Sequence, residues 1–307
     1  MDIRINEVGL RDGLQSQGKT LTVDERLALA EALAGAGLRY MEAGSFVSPK
    51  AVPQMAGTED LFPRLPSPER IQYAALVPNM KGYERAVAAG ARTVNVVLSV
   101  TETMNQKNIN MSLARTAEVC EQIVARAAGE GVNAQAYLAV AFECPFEGPV
   151  APEVVARYGA LMRDAGAGKV IVADTIGAAD PAKVDAVLER LLEHVDVARV
   201  SCHFHDTRGM ALANIHAAVL AGVREFDASI GGLGGCPFSP GASGNVATED
   251  VALMLQSMGL DTGIDPLGLV PVVREAERLT GTALGGKSFR WLSRQYGKTR
   301  GGQGDDQ

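Results

Sequence analysis

IRINEVGLRDGLQSQGKTLTVDERLALAEALAGAGLRYMEA, residues 3–43, is the stretch whose pattern decides the fold. Residues 3–8 and 38–43 read as short β-runs, and between them residues 23–36 carry apolar side chains at helical spacing. Thr22 and Glu25 precede that helix in a capping-box pattern, in which each side chain can accept from the other residue's unpaired backbone N–H. Strand, helix, strand is the unit from which parallel sheets are built. The alternation then repeats, with candidate strands at residues 71–77, 93–99, 134–141, 169–173, 199–205 and 225–229, each followed by a helical pattern. Asp180 and Pro181 supply an N-cap and a first-turn proline for the sixth helix. Eight such units predict a closed parallel (β/α)8 barrel of the TIM type, with a glycine-rich loop after the eighth strand and an extra C-terminal helix. An open, doubly wound sheet is the structural rival. Its dinucleotide fingerprint G-x-G-x-x-G fails here, because the third glycine position after Gly232 and Gly234 is Pro237.

A chain of 307 residues exceeds the usual domain size, yet barrels of this kind reach that length as one domain. Residues 1–295 are therefore expected to form a single catalytic domain, followed by a glycine- and charge-rich tail, 296–307, expected to be disordered. Hydrophobic residues make up 47% and charged residues 21%, with 36 acidic against 29 basic side chains. This mildly acidic balance speaks against nucleic acid as a partner. The first residues, Met1-Asp2-Ile3-Arg4, hold no apolar signal segment, and no run approaches the roughly 18 apolar residues of a membrane span. A cytoplasmic protein without membrane contact is the expectation. Four cysteines, Cys120, Cys144, Cys202 and Cys236, are too scattered for a disulfide framework.

In such a barrel, chemistry gathers where the strands end. The polar residues there are Arg11 and Asp12 after the first strand, Glu42 at the second, Asp174 after the sixth and His203 and His205 at the seventh; Cys236, Asn245 and Glu249 follow the eighth. His203 and His205 share one face of their strand, whereas Val200, Cys202 and Phe204 take the opposite parity and should pack against helices. Two imidazoles, a carboxylate and an amide oxygen, from His203, His205, Asp12 and Asn245, form a mixed N/O set suited to octahedral Mg²⁺ or Mn²⁺ with open positions for substrate. Six glycines between Gly231 and Gly244 make the segment around Cys236 an adaptable loop. His194 and His216 lie in helical patterns without such neighbours and read as ordinary surface or packing residues.

Six motifs, in order along the chain, carry a resemblance: VGLRDGLQ (8–15), SFVSPK (45–50), KNIN (107–110), DTIG (174–177), HFHDT (203–207) and GGCPF (234–238). Together they resemble the 3-hydroxy-3-methylglutaryl-CoA lyase family, over residues 5–279. The resemblance implies a metal-dependent retro-Claisen cleavage of a 3-hydroxy acyl-CoA. Asp12, His203, His205 and Asn245 would be the ligands, Arg11 the stabiliser of developing charge, His203 or Asp12 the base, and Cys236 the proton donor. Glu42, Asp174 and Glu249 would orient them, while Ser45, Lys81, Lys107 and Asn108 would contact the CoA portion. A homodimer is the expected assembly. The chain departs from the family pattern at Leu10, where proline is usual, Ile171, where serine is usual, and Arg208, where tyrosine is usual. A related branched 3-hydroxy acyl-CoA is the alternative substrate. The related isopropylmalate and homocitrate synthases are disfavoured because they extend beyond the barrel and lack the GGCPF loop. A silent metal-binding barrel is the reading from another class.

Overall fold

A computed structural model describes residues 2–235 and 244–301. Eight parallel strands close into a barrel: β1 (Arg4–Glu7), β2 (Tyr40–Ser45), β3 (Gln72–Leu76), β4 (Thr93–Ser99), β5 (Asn133–Ala139), β6 (Lys169–Asp174), β7 (Val200–Phe204) and β8 (Glu225–Ala228). Each strand pairs with the next, and β8 closes on β1. All eight predicted strands are therefore present. A two-stranded hairpin, Glu143–Cys144 with Gly148–Pro149, was not foreseen; pieces this short carry no periodicity.

The first unit forms as its caps dictate. Helix α1 (Val23–Gly35) begins with the reciprocal Thr22/Glu25 box, in which Glu25 N donates to Thr22 Oγ1 at 3.2 Å and Thr22 N to Glu25 Oε2 at 2.8 Å. Asp180 caps the helix Pro181–Leu192 by accepting from Lys183 N at 3.0 Å. The apolar core lies between the strands and the surrounding helices, where Val200, Cys202 and Phe204 are buried as their parity predicted. Cys202 is therefore a packing residue, its thiol pushed well above the usual range by burial.

The barrel's interior is largely polar. Asn6, Glu42, Asn95, Tyr137, His203 and Asp227 meet there, with a small apolar cluster of Tyr137, Ile171 and Ala173. Arg26 on α1 is fully buried and donates to Ala43 O, Ala56 O and Thr58 Oγ1, pinning the irregular end of β2 where the register shifts between Glu42 and Gly44. The last helix, Phe289–Gly301, runs through the first residues of the segment expected to be a disordered tail. Residues 302–307 lie outside the described ones. No helix is long and apolar enough to cross a membrane, among the described residues.

Candidate active site

Immediately after β1 the chain makes a π-helical turn, Gly9–Gly13, which sets Arg11 and Asp12 at the carboxyl end of the barrel. The buried Glu7 carboxylate shapes this turn, accepting from Gly9 N at 2.7 Å, Ile230 N at 2.9 Å and Thr248 Oγ1 at 2.6 Å. A side chain at position 9 would press on the Glu7 carboxylate and displace it from these bonds.

Arg11 is buried and reaches two carboxylates. Its Nε donates to Glu42 Oε2 at 2.5 Å and its Nη1 to Asp12 Oδ1 at 2.6 Å. Burial alone would lower the Arg11 pKa, but Glu42 and Asp12 more than offset it, so the guanidinium stays charged. Burial pushes Glu42 up, opposed by Arg11 and by Asn95, whose Nδ2 donates to Glu42 Oε1 at 2.7 Å. Burial also acts to raise Asp12, yet Arg11 and the two histidines hold it far below the usual carboxylate range.

His203 and His205 sit side by side at the end of β7, ring centroids 5.0 Å apart. Asp12, His203 and His205 each offer a ligand atom, all within 4.8 Å of one another. His205 Nδ1 is buried without a hydrogen-bond partner. A carboxylate and two imidazoles offering ligand atoms this close together form a mixed oxygen and nitrogen donor set that fits a divalent cation. Asn245 arrives from the far side of the glycine-rich loop, bridged to His205, and its Nδ2 donates to Asp12 Oδ2 at 2.8 Å and to Leu233 O at 3.2 Å. Backbone bonds from Asp206 N to Gly244 O and from Val246 N to Phe204 O fix that return.

The loop's two ends pinch together at Gly234 and Gly244, both at positive φ. A Cβ on Gly244 would lie 2.6 Å from the Gly234 backbone, and one on Gly234 equally close to Asn245 Nδ2. Only glycine makes this neck beside the ligand cluster. Cys236 itself lies outside the described residues.

The remaining predicted residues separate into groups. Arg11, Asp12, Ser45, Asn108, His203 and His205 line one cavity of about 450 Å³. Glu42 stands behind Arg11. Asp174 accepts from Ala178 N and Ala179 N, and its carboxyl, raised by burial, feels both histidines. Glu249 touches none of the cluster; it accepts from Gly231 N at 3.0 Å and Gly286 N at 2.7 Å, tying the loop's base to the C-terminal segment. Lys81 and Lys107 are exposed and do not line the cavity, and Lys107 lies over the Phe146 ring. Arg208 is exposed and pairs with Glu143 of the hairpin at 3.3 Å, so it adds no charge to the cluster.

Sequence reading missed Asn95, Tyr137 and Asp227. Asp227 accepts from Tyr137 Oη and lies 3.0 Å from His203 Nδ1. Burial, with Asp227 adding to it, raises Tyr137 well above its ordinary value, so the phenol keeps its proton. The available signal was parity: Asp227 is a polar residue within a strand, two positions before Ser229. Burial acts to lower His203, but the hydrogen bond with Asp227 and the charges of Asp227 and Asp12 prevail and hold it higher than usual.

The HMGL-like family model matches residues 2–274. The chain belongs to the HMGL-like family. Among HMGL-like relatives, hydroxymethylglutaryl-CoA lyase of Pseudomonas mevalonii is 43% identical over 281 residues, 92% of this chain and 93% of that protein. The 3-hydroxy-3-isohexenylglutaryl-CoA/hydroxy-methylglutaryl-CoA lyase of Pseudomonas aeruginosa is 38% identical, over 94% of this chain and 97% of its own. A solved HMG-CoA lyase from Acinetobacter baumannii, in complex with coenzyme A and 3-methylmalate, superposes with a TM-score of 0.89 at 37% identity, covering 94% of each chain.

Two buried carboxylates, Glu7 and Glu249, which hold Ile230 and Gly231 after β8, imply a pH dependence of stability. Burial raises Glu7 and Glu249 from 4.5 to about 7, against the opposing hydrogen bonds each accepts. A folded-state value above the unfolded one favours folding through proton uptake. That contribution is complete below pH 4.5 and is lost as pH rises through about 7, on the order of 3 kcal/mol per group. Glu249→Gln should flatten the fall in melting temperature across that interval relative to wild type. An unchanged slope would refute the assignment.

Proposed function

We propose that this chain is a divalent-metal-dependent carbon–carbon lyase that cleaves 3-hydroxy-3-methylglutaryl-CoA to acetoacetate and acetyl-CoA. The observation that carries this reading is the convergence of Arg11, Asp12, His203 and His205 on one cavity at the carboxyl end of the barrel. The names of the relatives support the substrate, and the coenzyme A complex of one of them supports an acyl-CoA ligand.

Asp12, His203, His205 and Asn245 would hold Mg²⁺ or Mn²⁺, which supplies Lewis-acid polarisation of the substrate's C3 hydroxyl. Asp12, or His203 while its Nε2 is free of the cation, accepts the hydroxyl proton. The freed electron pair forms the ketone as the C2–C3 bond breaks, and that bond's pair passes into the thioester as an enolate. The permanently charged Arg11 guanidinium stabilises the enolate oxygen. Cys236 donates a proton to C2, completing acetyl-CoA. Glu42 and Asp174 orient Arg11 and the histidines, and Glu249 holds the loop's base. Ser45 and Asn108 in the cavity, with the exposed Lys81 and Lys107, supply contacts to the CoA portion.

A longer 3-alkyl branch is the second reading. Apolar side chains of Val47, Val52, Met104, Met111, Val119 and Ile123 line part of the cavity, and the Pseudomonas aeruginosa relative is named for an isohexenyl substrate as well as the methyl one.

The test is acetyl-CoA release from 3-hydroxy-3-methylglutaryl-CoA and from 3-alkyl homologues, with Mg²⁺ or Mn²⁺ present or chelated, for wild type and Cys236→Ala. Metal-dependent turnover that collapses in the variant is expected. Cleavage restricted to longer branches would favour the second reading. Stoichiometric metal binding without turnover of any acyl-CoA would leave a silent binding barrel.

A further inference from the structure

Asp227 occupies an unusual place in the barrel. Strand register puts Asn6, Asp227, His203 and Ala173 side by side on adjacent strands, in one layer of the interior. Asp227 is 2% exposed, and its two oxygens are fully engaged. Oδ1 accepts from Asn6 Nδ2 at 2.9 Å. Oδ2 receives Tyr137 Oη at 2.6 Å from across the barrel and His203 Nδ1 at 3.0 Å from the neighbouring strand. Three polar groups from three other strands thus converge on one carboxylate, and one of them belongs to the ligand cluster.

We infer that Asp227 is a positioning residue that fixes the tautomer and ring orientation of His203, presenting the Nε2 lone pair to the metal site. A carboxylate already taking a phenolic O–H and an amide N–H leaves Nδ1 of His203 the role of donor. The opposite tautomer would turn a nitrogen lone pair toward the carboxylate and an N–H into the ligand cluster. Both changes are unfavourable at groups as buried as Asp227 and His203. The edge-on approach of the Tyr137 and His203 rings, centroids 6.0 Å apart, limits rotation of the imidazole about its axis.

His205 provides the contrast within the same pair. Its Nδ1 has no partner, and its Nε2 lies 3.8 Å from Asp12 Oδ2. One imidazole is therefore set before any ligand arrives, and the other takes its tautomer from what binds. The barrel spends a buried carboxylate on only one of its two histidines. Asp227 also lines a separate polar cavity of about 270 Å³ at the opposite, amino-terminal mouth, with Arg4, Gln135, Lys169 and Glu225. A truncated side chain at position 227 would open toward that cavity, so the vacancy can fill with water and need not collapse the barrel.

This inference rests on the metal reading of the site, and its test has an arm independent of it. The four histidines can be labelled with ¹⁵N and their ring signals recorded in the metal-free protein. In wild type, His203 should show a protonated Nδ1 and a bare Nε2. In Asp227→Ala it should show an averaged mixture of tautomers. The second arm is Mn²⁺ titration by calorimetry of wild type and Asp227→Asn, which keeps the side chain's volume and one acceptor. Affinity should fall about 10- to 100-fold in a protein with unchanged circular dichroism, the usual cost of losing a partner behind a ligating histidine. An unchanged His203 tautomer in Asp227→Ala would overturn the inference. So would Asp227→Asn affinity within about twofold of wild type, well short of that range. If wild type bound no Mn²⁺, the metal reading would fall, and the tautomer arm alone would decide the role of Asp227.

Discussion

Replacing Arg11 by methionine should lower kcat for 3-hydroxy-3-methylglutaryl-CoA by at least about 10²- to 10³-fold, the loss seen when one preorganised charge-stabilising donor is removed. The effect should fall on kcat more than on KM, because the charge that Arg11 meets develops as the bond breaks. Arg11→Lys should not rescue it. A lysine retains the charge but has no planar fork with which to hold Glu42 and Asp12 together, as Nε and Nη1 of Arg11 do. The methionine variant also leaves Glu42 buried beside Asn95 without its cation, so stability should fall by roughly 3 kcal/mol or more. Comparing kinetics with melting temperature separates the two losses. Turnover within about tenfold of wild type, below the range for such a donor, would remove Arg11 from the chemistry.

The second large effect is expected at His205. His205→Ala should weaken Mn²⁺ binding by more than about 100-fold, beyond the cost of losing only a supporting hydrogen bond, and abolish turnover at any practical metal concentration. The fold should survive, because His205 Nδ1 makes no hydrogen bond and the backbone of β7's end is held by Asp206 N and Phe204 O. Calorimetric titration of metal and the acetyl-CoA assay together decide the matter. A variant that binds Mn²⁺ normally would exclude His205 from the ligand set.

Much of this molecule was legible before any coordinates. The eight strands announced themselves because each is an apolar run followed by a helix with its own period, and Thr22, Glu25 and Asp180 mark helix starts by local chemistry alone. Parity placed His203 and His205 inside and Cys202 outside, since a strand gives its side chains no other choice. Asp227 and Tyr137 were not read because their importance lies in partners 24 and 90 residues distant, a relation that no local pattern encodes. Lys81 and Lys107 were placed by family resemblance and by their position at the barrel's top, and they stand outside the cavity, because position near a strand end does not settle where a long side chain goes. Glycine and charge between 296 and 301 resemble a tail, yet the helix begun at Phe289 carries through them.

Along β7 the alternation of Val200, Cys202 and Phe204 with Ser201, His203 and His205 divides two kinds of consequence between adjacent positions. The odd residues face the barrel's interior, His203 and His205 at the reaction chamber and Ser201 toward the opposite mouth, and every even one is part of the shell that keeps the barrel closed. A saturation scan of this strand should therefore show a beat of two: losses of abundance at one residue, losses of catalysis with normal abundance at the next. Variation can thus alter what this barrel does without touching whether it folds, and the interleaving of the two sets sets the grain at which its chemistry can drift.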